Sequence, residues 1–548
     1  MENIPNGGAQ IAQVLQNEGI THLFTLCGGH IAPIYLAAGF AGIRVIDVRH
    51  EQAAAHAADG WARVTRHLGV AVVTAGPGVT DAVTGVTNAY FADSPVLVLG
   101  GSAPVQEWDR GALQEMNQID LFKPITKWAK VVTDPKRIGE YTATAIREAL
   151  SGRPGPVYLE LPIDVLMEPV EPREWTYQAP YRVPQATAPS PEAIKAAAEL
   201  LQQSEQPVVI AGSNVYWDRA EQALQDFIAR LKAPVYLNGM GRGCVPADHS
   251  QFFNLSRREA LKQADVVVVI GTPLDFRLGY GKFNPKAKVI MIDRDGSHMG
   301  RNRPVHAGVV GNVRLCLEGL TAAIDKAPDR LGWFSALRKE ESQKQEALMQ
   351  KATSDATPIN HYRMVKAIAD FIDDDTIIVG DGGDIVACGA KVIPVNKPGN
   401  WMDPGPFGCL GVGPSFAMAA KLAHPDKKVL ILHGDGSFGL NAMEFDTAVR
   451  HKIPIVSIVG NDAGWGQIRN PQVALLGEDA TLATDLASTR YDKIVEAMGG
   501  YGETVTDPRE IVPALERAFA SGVPACINVL LDPRALLGEV NVMRGLSI

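Results

Sequence analysis

The sequence predicts an α/β protein built from three doubly wound parallel-sheet domains. Short apolar runs alternate along the whole chain with longer helix-favouring segments, which is typical of parallel sheets covered by helices. A proline-rich stretch at 180–191 and a second break near Pro358 divide these segments into three blocks. A length of 548 residues also indicates about three domains of ordinary size.

We place the first domain at residues 1–180, the central domain at 192–345 and the third at 355–548. A charged segment at 337–351 predicts a helix between the central and third blocks. The clearest predicted strands lie at 21–26, 70–74, 96–99 and 157–161, then at 208–211, 266–270 and 289–292, and finally at 377–379, 429–432 and 453–459.

Composition indicates a globular soluble protein and disfavours several other classes. Apolar residues make up 46% of the chain and charged residues 21%. A net charge of −9 gives no basic surface for nucleic acid. No apolar run reaches the roughly 18 residues of a membrane span, and the polar start MENIPNGGAQ lacks a signal peptide. Six scattered cysteines without a CxxC pair indicate reduced thiols, so we expect a cytoplasmic location.

The most informative segment runs from residue 434 to 466 and reads GDGSFGLNAMEFDTAVRHKIPIVSIVGNDAGWG. Its acidic residues Asp435 and Asp462 each follow an apolar run that predicts a buried parallel strand. Open α/β sheets bind ligands at the carboxyl ends of their strands. Carboxylates placed there suit Mg²⁺, which completes its coordination with phosphate oxygens. Gly436 and Ser437 open the intervening helix, so their N–H groups can meet a phosphate.

This GDG sequence, followed after about 25 residues by an Asn-Asp pair, resembles the cofactor motif of the thiamin diphosphate (ThDP) enzymes. The resemblance implies that Asp435, Asp462 and the backbone carbonyl of Gly464 bind Mg²⁺. Asp462 stands where the family motif has Asn, which adds a negative charge beside the metal. The alternative is an ordinary strand–helix–strand crossover with surface acids, and the full spacing favours the ThDP motif.

The three-block plan resembles the branch of the ThDP enzymes that contains pyruvate oxidase and acetolactate synthase. In that branch a pyrimidine-binding domain comes first, a central domain follows, and a diphosphate-binding domain comes last. The resemblance covers essentially the whole chain. It implies thiamin diphosphate and Mg²⁺ as cofactors.

Glu51 is the candidate activating acid. The sequence RHEQAA around it resembles the family's RHE-x-x-A motif, whose Glu holds the aminopyrimidine ring so that the thiazolium C2 proton can be removed. The alternative is a first-turn Glu favoured by the helix dipole. In the family this Glu reaches a cofactor held mainly by another subunit, so the resemblance implies a homodimer or homotetramer with the active site between chains.

Two further segments resemble cofactor-binding loops of the family. In FGCLGVG at 407–413, the resemblance makes Leu410 the apolar wedge that bends ThDP, while the Gly408 carbonyl accepts from its amino group. In GDGGD at 380–384, Gly383 and Asp384 help to hold the diphosphate. The alternative for Leu410 is an ordinary core residue.

His30 and Gln118 are the candidate substrate-facing residues. His30 follows the first strand in CGGH, which resembles benzaldehyde lyase, and an imidazole can take a proton from a substrate hydroxyl. Gln118 resembles the pocket glutamine of benzaldehyde lyase and acetolactate synthases, and its amide can hydrogen-bond a carbonyl or hydroxyl. The alternatives are a structural histidine and an exposed helix residue.

The central domain leaves its ligand open. Segments 271–277 and 292–295 follow predicted strands, where an adenine nucleotide such as ADP or FAD can bind, but no G-x-G-x-x-G follows a strand there. An acid after a strand can equally cap a helix. The sequence is compatible with a central domain that binds ADP, one that binds FAD and one that binds no nucleotide.

Several segments resemble the 2-hydroxyacyl-CoA lyases of the acetolactate synthase-like group, with benzaldehyde lyase next. These segments are GGHIAP, TAGPG, ELPIDVL, DFRLGYG and DPGPFG. The implied reaction is reversible cleavage of a 2-hydroxyacyl-CoA to formyl-CoA and an aldehyde or ketone. The alternatives are acetolactate synthesis from pyruvate and cleavage of acyloins without CoA. The tail at 534–548 is a possible lid over the site.

Overall fold

The structure, a computed structural model, describes residues 5–183, 186–325 and 327–537. Three separate sheets form its core, with six, five and six strands, and the paired strands run parallel. Helices cover both faces of each sheet, so the inner strands are largely apolar and buried, whereas edge strands such as Arg44–Asp47, Trp128–Val131 and Tyr501–Val505 are only partly buried. The predicted fold class, three doubly wound parallel-sheet domains, is confirmed.

The first sheet has the strand order β2-β1-β3-β4-β6-β5. Its strands are β1 (His22–Thr25), β2 (Arg44–Asp47), β3 (Gly69–Val73), β4 (Val96–Ser102), β5 (Trp128–Val131) and β6 (Val157–Pro162). Its helices are α1 (Gly7–Asn17), α2 (Ala32–Phe40), α3 (Glu51–Thr65), α4 (Pro77–Phe91), α5 (Gln118–Phe122), α6 (Ile138–Leu150) and α7 (Ile163–Met167).

The central sheet has the order β11-β10-β9-β7-β8. Its strands are β7 (Pro207–Ala211), β8 (Val235–Leu237), β9 (Val266–Ile270), β10 (Lys288–Asp293) and β11 (Ala307–Val310). Its helices are α8 (Pro191–Gln203), α9 (Ser213–Trp217), α10 (Glu221–Leu231), α11 (Arg257–Gln263) and α12 (Val313–Ala323). The charged helix predicted at 337–351 forms most of α13 (Leu331–Ala352).

The third sheet has the order β13-β12-β14-β15-β17-β16. Its strands are β12 (Ile377–Asp381), β13 (Trp401–Met402), β14 (Val429–Gly434), β15 (Val456–Asn461), β16 (Tyr501–Val505) and β17 (Ala525–Leu530). Its helices are α14 (His361–Phe371), α15 (Asp384–Val392), α16 (Gly413–Ala423), α17 (Asp435–Asn441), α18 (Glu444–Arg450), α19 (Gly466–Leu476), α20 (Tyr491–Ala497) and α21 (Ile511–Ala520).

Helices α3 and α16 join the first and third domains through small side chains. A methyl group built on Gly60 of α3 would lie 2.9 Å from the Cα of Phe416 in α16, so only glycine permits this approach. At the same contact Arg63 makes two 2.8 Å hydrogen bonds to the buried carboxylate of Asp59. Arg63 also donates to the backbone carbonyl of Asp403 at 2.6 Å. This pairing satisfies two charges that burial would otherwise penalise.

Composition predicts a chain without a membrane-spanning segment and with reduced cysteines. Within the described ranges, no helix is long and apolar enough to cross a membrane. All six cysteines are free thiols. The tail expected to close the site begins at Arg534, and its residues from 538 onward lie outside the described part of the chain.

Candidate active site

A cleft of about 190 Å³ opens at the carboxyl ends of β12, β14 and β15 in the third domain. The strand order reverses at this point of the sheet, which is where doubly wound sheets place ligands. All the residues that the sequence assigns to cofactor or metal in this domain line the cleft: Gly383, Asp384, Gly408, Leu410, Asp435, Gly436, Ser437, Asp462 and Gly464. The structure therefore brings these candidates together, and their individual roles stay predictions.

Asp435 and Asp462 place two buried carboxylates close to each other in the cleft. Asp435 accepts hydrogen bonds from the backbone N–H groups of Gly436 at 2.8 Å and of Gly464 at 3.1 Å. Burial, together with the negative charge of Asp462, raises the pKa of Asp435 to about 7. Such a pair disfavours its own ionisation unless a cation lies beside it.

The carboxylate of Asp462 accepts fewer hydrogen bonds from the protein than that of Asp435. Across the described residues, no N–H or O–H group donates a hydrogen bond to it, although Asp462 is only 9% exposed. Its oxygens are therefore free to bind a ligand. Asp384, which enters the same cleft, accepts from the side-chain amide of Asn470 at 3.2 Å.

Glycines shape the wall of the cleft. A methyl group built on Gly436 would lie 2.6 Å from the ring of Trp465, and one built on Gly383 would lie 2.1 Å from the side-chain oxygen of Gln467. A side chain at either position would therefore displace its neighbour. The hydroxyl of Ser437, at the first turn of α17, donates to the backbone carbonyl of Asp381 at 2.6 Å.

Asp381 fixes the loop that carries Leu410. Its carboxylate accepts from the backbone N–H groups of Gly411 at 3.0 Å and of Gly413 at 2.6 Å. Gly408 has a φ of +70°, a conformation that favours glycine. Leu410 is half-buried and lines the cleft instead of joining the core.

Glu51 lies in the first domain as the first residue of α3, where it is buried. A methyl group built on Gly78 would lie 3.0 Å from its Oε1, so the first turn of α4 closely approaches the carboxylate. In the parts of the chain that the structure describes, no group donates a hydrogen bond to this carboxylate. The carboxylate oxygens of Glu51 are therefore buried and available to accept a hydrogen bond from a ligand.

His30 and Gln118 also lie at the carboxyl edge of the first sheet. A methyl group built on Gly101, near the end of β4, would lie 2.6 Å from the Cβ of His30. His30 is half-buried, and burial lowers its pKa. Its imidazole is therefore neutral near pH 7 and can accept a proton.

Gln118 is buried, and its amide is engaged with the protein. Its oxygen accepts from the backbone N–H of Gly76 at 2.8 Å. Its nitrogen donates to the carbonyl of Gly101 at 3.0 Å and to the hydroxyl of Tyr158 at 3.2 Å. Gln118 and His30 therefore both lie next to Gly101, and a substrate contact by the amide nitrogen of Gln118 would require one of its bonds to exchange.

The candidates of the first domain, Glu51, His30 and Gln118, do not line the third-domain cleft of their own chain. Each domain therefore carries half of the predicted active site. We call Glu51, His30 and Gln118 the first-domain half-site, and we call the residues that line the cleft the third-domain half-site.

The acids singled out in the central domain are engaged locally. Asp275 accepts from the backbone N–H of Arg277 at 3.0 Å and forms a 2.6 Å ion pair with its guanidinium. Asp293 accepts from the backbone N–H of Asp295 at 3.0 Å, and burial raises the pKa of Asp293 to about 6. A nucleotide in this domain stays a prediction.

Family models match each of the three domains. Residues 5–121 match the thiamine pyrophosphate enzyme N-terminal TPP binding domain, residues 194–320 the central domain, and residues 381–529 the C-terminal TPP binding domain. The chain belongs to the thiamine pyrophosphate enzymes. Thiamine pyrophosphate is the same cofactor as ThDP, so the family resemblance read from the sequence is confirmed.

The relatives of this thiamine pyrophosphate enzyme include a synthase and several lyases. It is 40% identical to a probable acetolactate synthase of Mycobacterium bovis over 529 residues, which cover 96% of both proteins. It is 38% identical to 2-hydroxyacyl-CoA lyase 2 of Homo sapiens over 580 residues, covering 96% of this chain and 90% of the relative. The same lyase of Caenorhabditis elegans is 36% identical over 577 residues.

The cleft of this thiamine pyrophosphate enzyme fits a divalent cation bound to a diphosphate. Asp435 and Asp462 supply two close carboxylates, and Asp462 has no donor of its own. No group of three or more His, Cys, Asp or Glu side chains suited to a metal occurs in the described ranges. The proposed set therefore relies on two carboxylates and the Gly464 carbonyl, with phosphate oxygens to complete it, as Mg²⁺ accepts.

Among the polar side chains that line the cleft, the sequence analysis did not identify Gln467 and His361. Gln467 follows the Asn-Asp motif closely, so extending the motif through the next helical turn would have included it. His361 lies far from the motif in sequence, and no local pattern marks it.

Proposed function

We propose that this thiamine pyrophosphate enzyme is a carbon–carbon lyase that cleaves a 2-hydroxyacyl-CoA to formyl-CoA and an aldehyde or ketone. The reverse reaction joins formyl-CoA to the carbonyl compound. The observation that carries the proposal is His30, a half-buried imidazole whose pKa burial lowers. Cleavage beside a hydroxyl requires a base for the hydroxyl proton, and a neutral imidazole at the first-domain half-site suits that task. The 38% identity to 2-hydroxyacyl-CoA lyase 2 supports the same reaction.

The residues of the two half-sites have separate proposed tasks. Mg²⁺ would be held by Asp435, Asp462 and the carbonyl of Gly464, and the diphosphate by Gly383, Asp384, Gly436 and Ser437. When bound, ThDP supplies a carbon nucleophile that also accepts the electron pair of the broken carbon–carbon bond.

The remaining candidates act on the organic part of the cofactor and on the substrate. Glu51 would hold a pyrimidine ring nitrogen, while Gly408 and Leu410 would hold the cofactor bent. His30 would take the proton from the hydroxyl oxygen, and Gln118 would position His30 or contact the substrate. Because Glu51 does not line the cleft of its own chain, we propose a homodimer or homotetramer in which two copies complete each site.

A second candidate function is acetolactate synthesis. It is favoured by the 40% identity to a probable acetolactate synthase along 96% of the chain. It would use the same cofactor residues but would take two molecules of pyruvate, release carbon dioxide and need no CoA.

A product assay separates the two functions. Purified protein with ThDP and Mg²⁺ would receive a 2-hydroxyacyl-CoA, benzoin or pyruvate in separate reactions, with Asp435→Ala protein as the matched inactive control. We expect aldehyde and formyl-CoA from the first substrate. Acetolactate from pyruvate, or benzaldehyde from benzoin, with no turnover of the CoA thioester would contradict the lyase assignment and leave the cofactor assignment intact.

A further inference from the structure

His361 is a buried histidine at the edge of the third-domain cleft. It is the first residue of α14, and it is 4% exposed. Its Nε2 lies 3.7 Å from Oδ2 of Asp462. Its Nδ1 is buried and has no hydrogen-bond partner in the described parts of the chain. A buried imidazole with so few partners is costly, which suggests that it serves the cleft it lines.

The sheet fixes where this imidazole lies relative to Asp462. After β17 ends, the backbone N–H of Leu531 donates to the carbonyl of Asn461 at 2.8 Å, and the N–H of Asp532 donates to the carbonyl of Ile359 at 2.9 Å. Two successive residues therefore connect the neighbour of Asp462 to the segment just before His361. The approach of the two side chains is a property of the backbone framework.

The carboxylate of Asp462 has no N–H or O–H group, so a hydrogen bond that holds this side chain in place must be donated by a neighbour. The family motif has Asn at this position, and an amide carries both an acceptor and a donor, whereas a carboxylate carries acceptors only. On its other side, Oδ2 of Asp462 faces Gly466, where a methyl group would lie 2.8 Å away. The Nε2 of His361 lies 3.7 Å from this oxygen and can donate to it.

We propose that His361 is a positioning residue for the metal: its Nε2–H holds one oxygen of Asp462, so that the other oxygen faces the cation. This inference rests on the proposed function, because it concerns the same Mg²⁺. The present 3.7 Å separation exceeds a hydrogen bond by about 1 Å, and rotation of the carboxylate onto the cation closes it. Ligands oriented by such a neighbour lose roughly 10- to 100-fold in metal affinity when the neighbour is removed.

The first test measures Mg²⁺ binding by calorimetry at saturating ThDP, without any substrate. We expect His361→Ala to weaken Mg²⁺ binding about tenfold. His361→Gln keeps an N–H donor, so it should recover most of that affinity. The exposed histidine of the central domain, His306, provides the matched control His306→Ala, which should bind Mg²⁺ like the wild type. Unchanged affinity in His361→Ala would overturn the inference while the proposed function stands.

A double-mutant cycle separates positioning of Asp462 from a general structural effect. In the Asp462→Asn background the hydrogen bond to a charged acceptor is gone, so adding His361→Ala should cost less than about threefold. If the two losses instead multiply, His361 acts independently of Asp462 and the inference is wrong. A wild-type protein that binds neither ThDP nor Mg²⁺ would overturn the proposed function together with this inference.

Discussion

The surroundings of Glu51 leave its buried carboxylate open to a ligand. It begins α3, it is 7% exposed, and the close approach of Gly78 leaves no space for another side chain beside its Oε1. Nothing in the described ranges donates a hydrogen bond to it. A buried carboxyl group without partners is costly unless a ligand supplies one, which supports its proposed role against a pyrimidine nitrogen.

We expect Glu51→Gln to bind ThDP and Mg²⁺ within about threefold of the wild type but to lose roughly 10²- to 10⁴-fold in turnover. The amide keeps the shape and a hydrogen bond, but it cannot exchange a proton. Calorimetry measures binding, and the product assay measures turnover. The exposed glutamate of α8 gives the control Glu199→Gln, which should behave like the wild type. Near-normal turnover of Glu51→Gln would show that another group activates the cofactor.

At the residue scale, the sequence predicts what is local and misses what the fold assembles. Asp435, Asp462 and Gly464 belong to one continuous motif, and the structure places them in one cleft. His361 reaches that cleft through the tertiary fold, in which residues after β17 bond to both Asn461 and Ile359. No periodicity or spacing near His361 encodes this long-range contact.

At the scale of an element, apolar runs predict that a strand exists better than they predict where it begins. The run at 453–459 predicts a strand, and the observed strand β15 is Val456–Asn461. Pro454 has no N–H to give to a ladder, and the pairing with β17 begins at Val456 opposite Ala525. The first residue of the strand is therefore set by its pairing with β17, and the apolar run alone does not indicate the register of that pairing.

Helix α18 carries a buried acid at the contact with the first domain. Glu444 begins the helix and is 1% exposed. It accepts from the backbone N–H of Arg49 at 3.0 Å and from the hydroxyl of Thr447 at 2.8 Å. Burial nonetheless raises the pKa of Glu444 from 4.5 to about 7. The native state therefore keeps a proton that the unfolded chain releases, and stability falls as the pH rises from about 4.5 to about 7.

We expect Glu444→Gln to remove part of that pH dependence. The variant should gain stability relative to the wild type between pH 5 and pH 8, by on the order of 2 kcal/mol, because the amide carries no charge to bury. Melting temperatures of the cofactor-free proteins at both pH values measure the difference. The exposed glutamate of α21 gives the control Glu516→Gln. Parallel pH profiles for wild type and Glu444→Gln would contradict the prediction.

At the scale of the whole molecule, strand and helix alternation predicts three parallel sheets, and the structure confirms this fold class. The alternation does not predict how the sheets are arranged, since it describes each domain alone. The contact of α3 with α16 depends on small residues such as Gly60 fitting against Phe416. Small residues in a sequence indicate close packing, but they do not indicate which helix is the partner.

Exposed apolar side chains flank both half-sites. Leu113 is 76% exposed. It directly precedes Gln114, whose backbone lies close to Gly76, and the N–H of Gly76 bonds to Gln118 of the first-domain half-site. Leu440, which is 53% exposed, lies beside Gly411 in the loop of the third-domain cleft. The proposed oligomer would bring these two places together, and apolar side chains left in water there favour burial against another copy.

The proposed sharing of each active site between two chains predicts complementation between two inactive variants. Glu51→Gln and Asp435→Ala would be co-expressed with different tags and purified through both tags, so that each assembly contains both chains. In a dimer, one site then receives both changes, while the other receives an intact Glu51 and an intact Asp435. We expect about half of the wild-type activity, with each variant alone as the inactive control. Doubly tagged assemblies with no activity would place the complete site within one chain, and failure to recover any such assembly would contradict the oligomer.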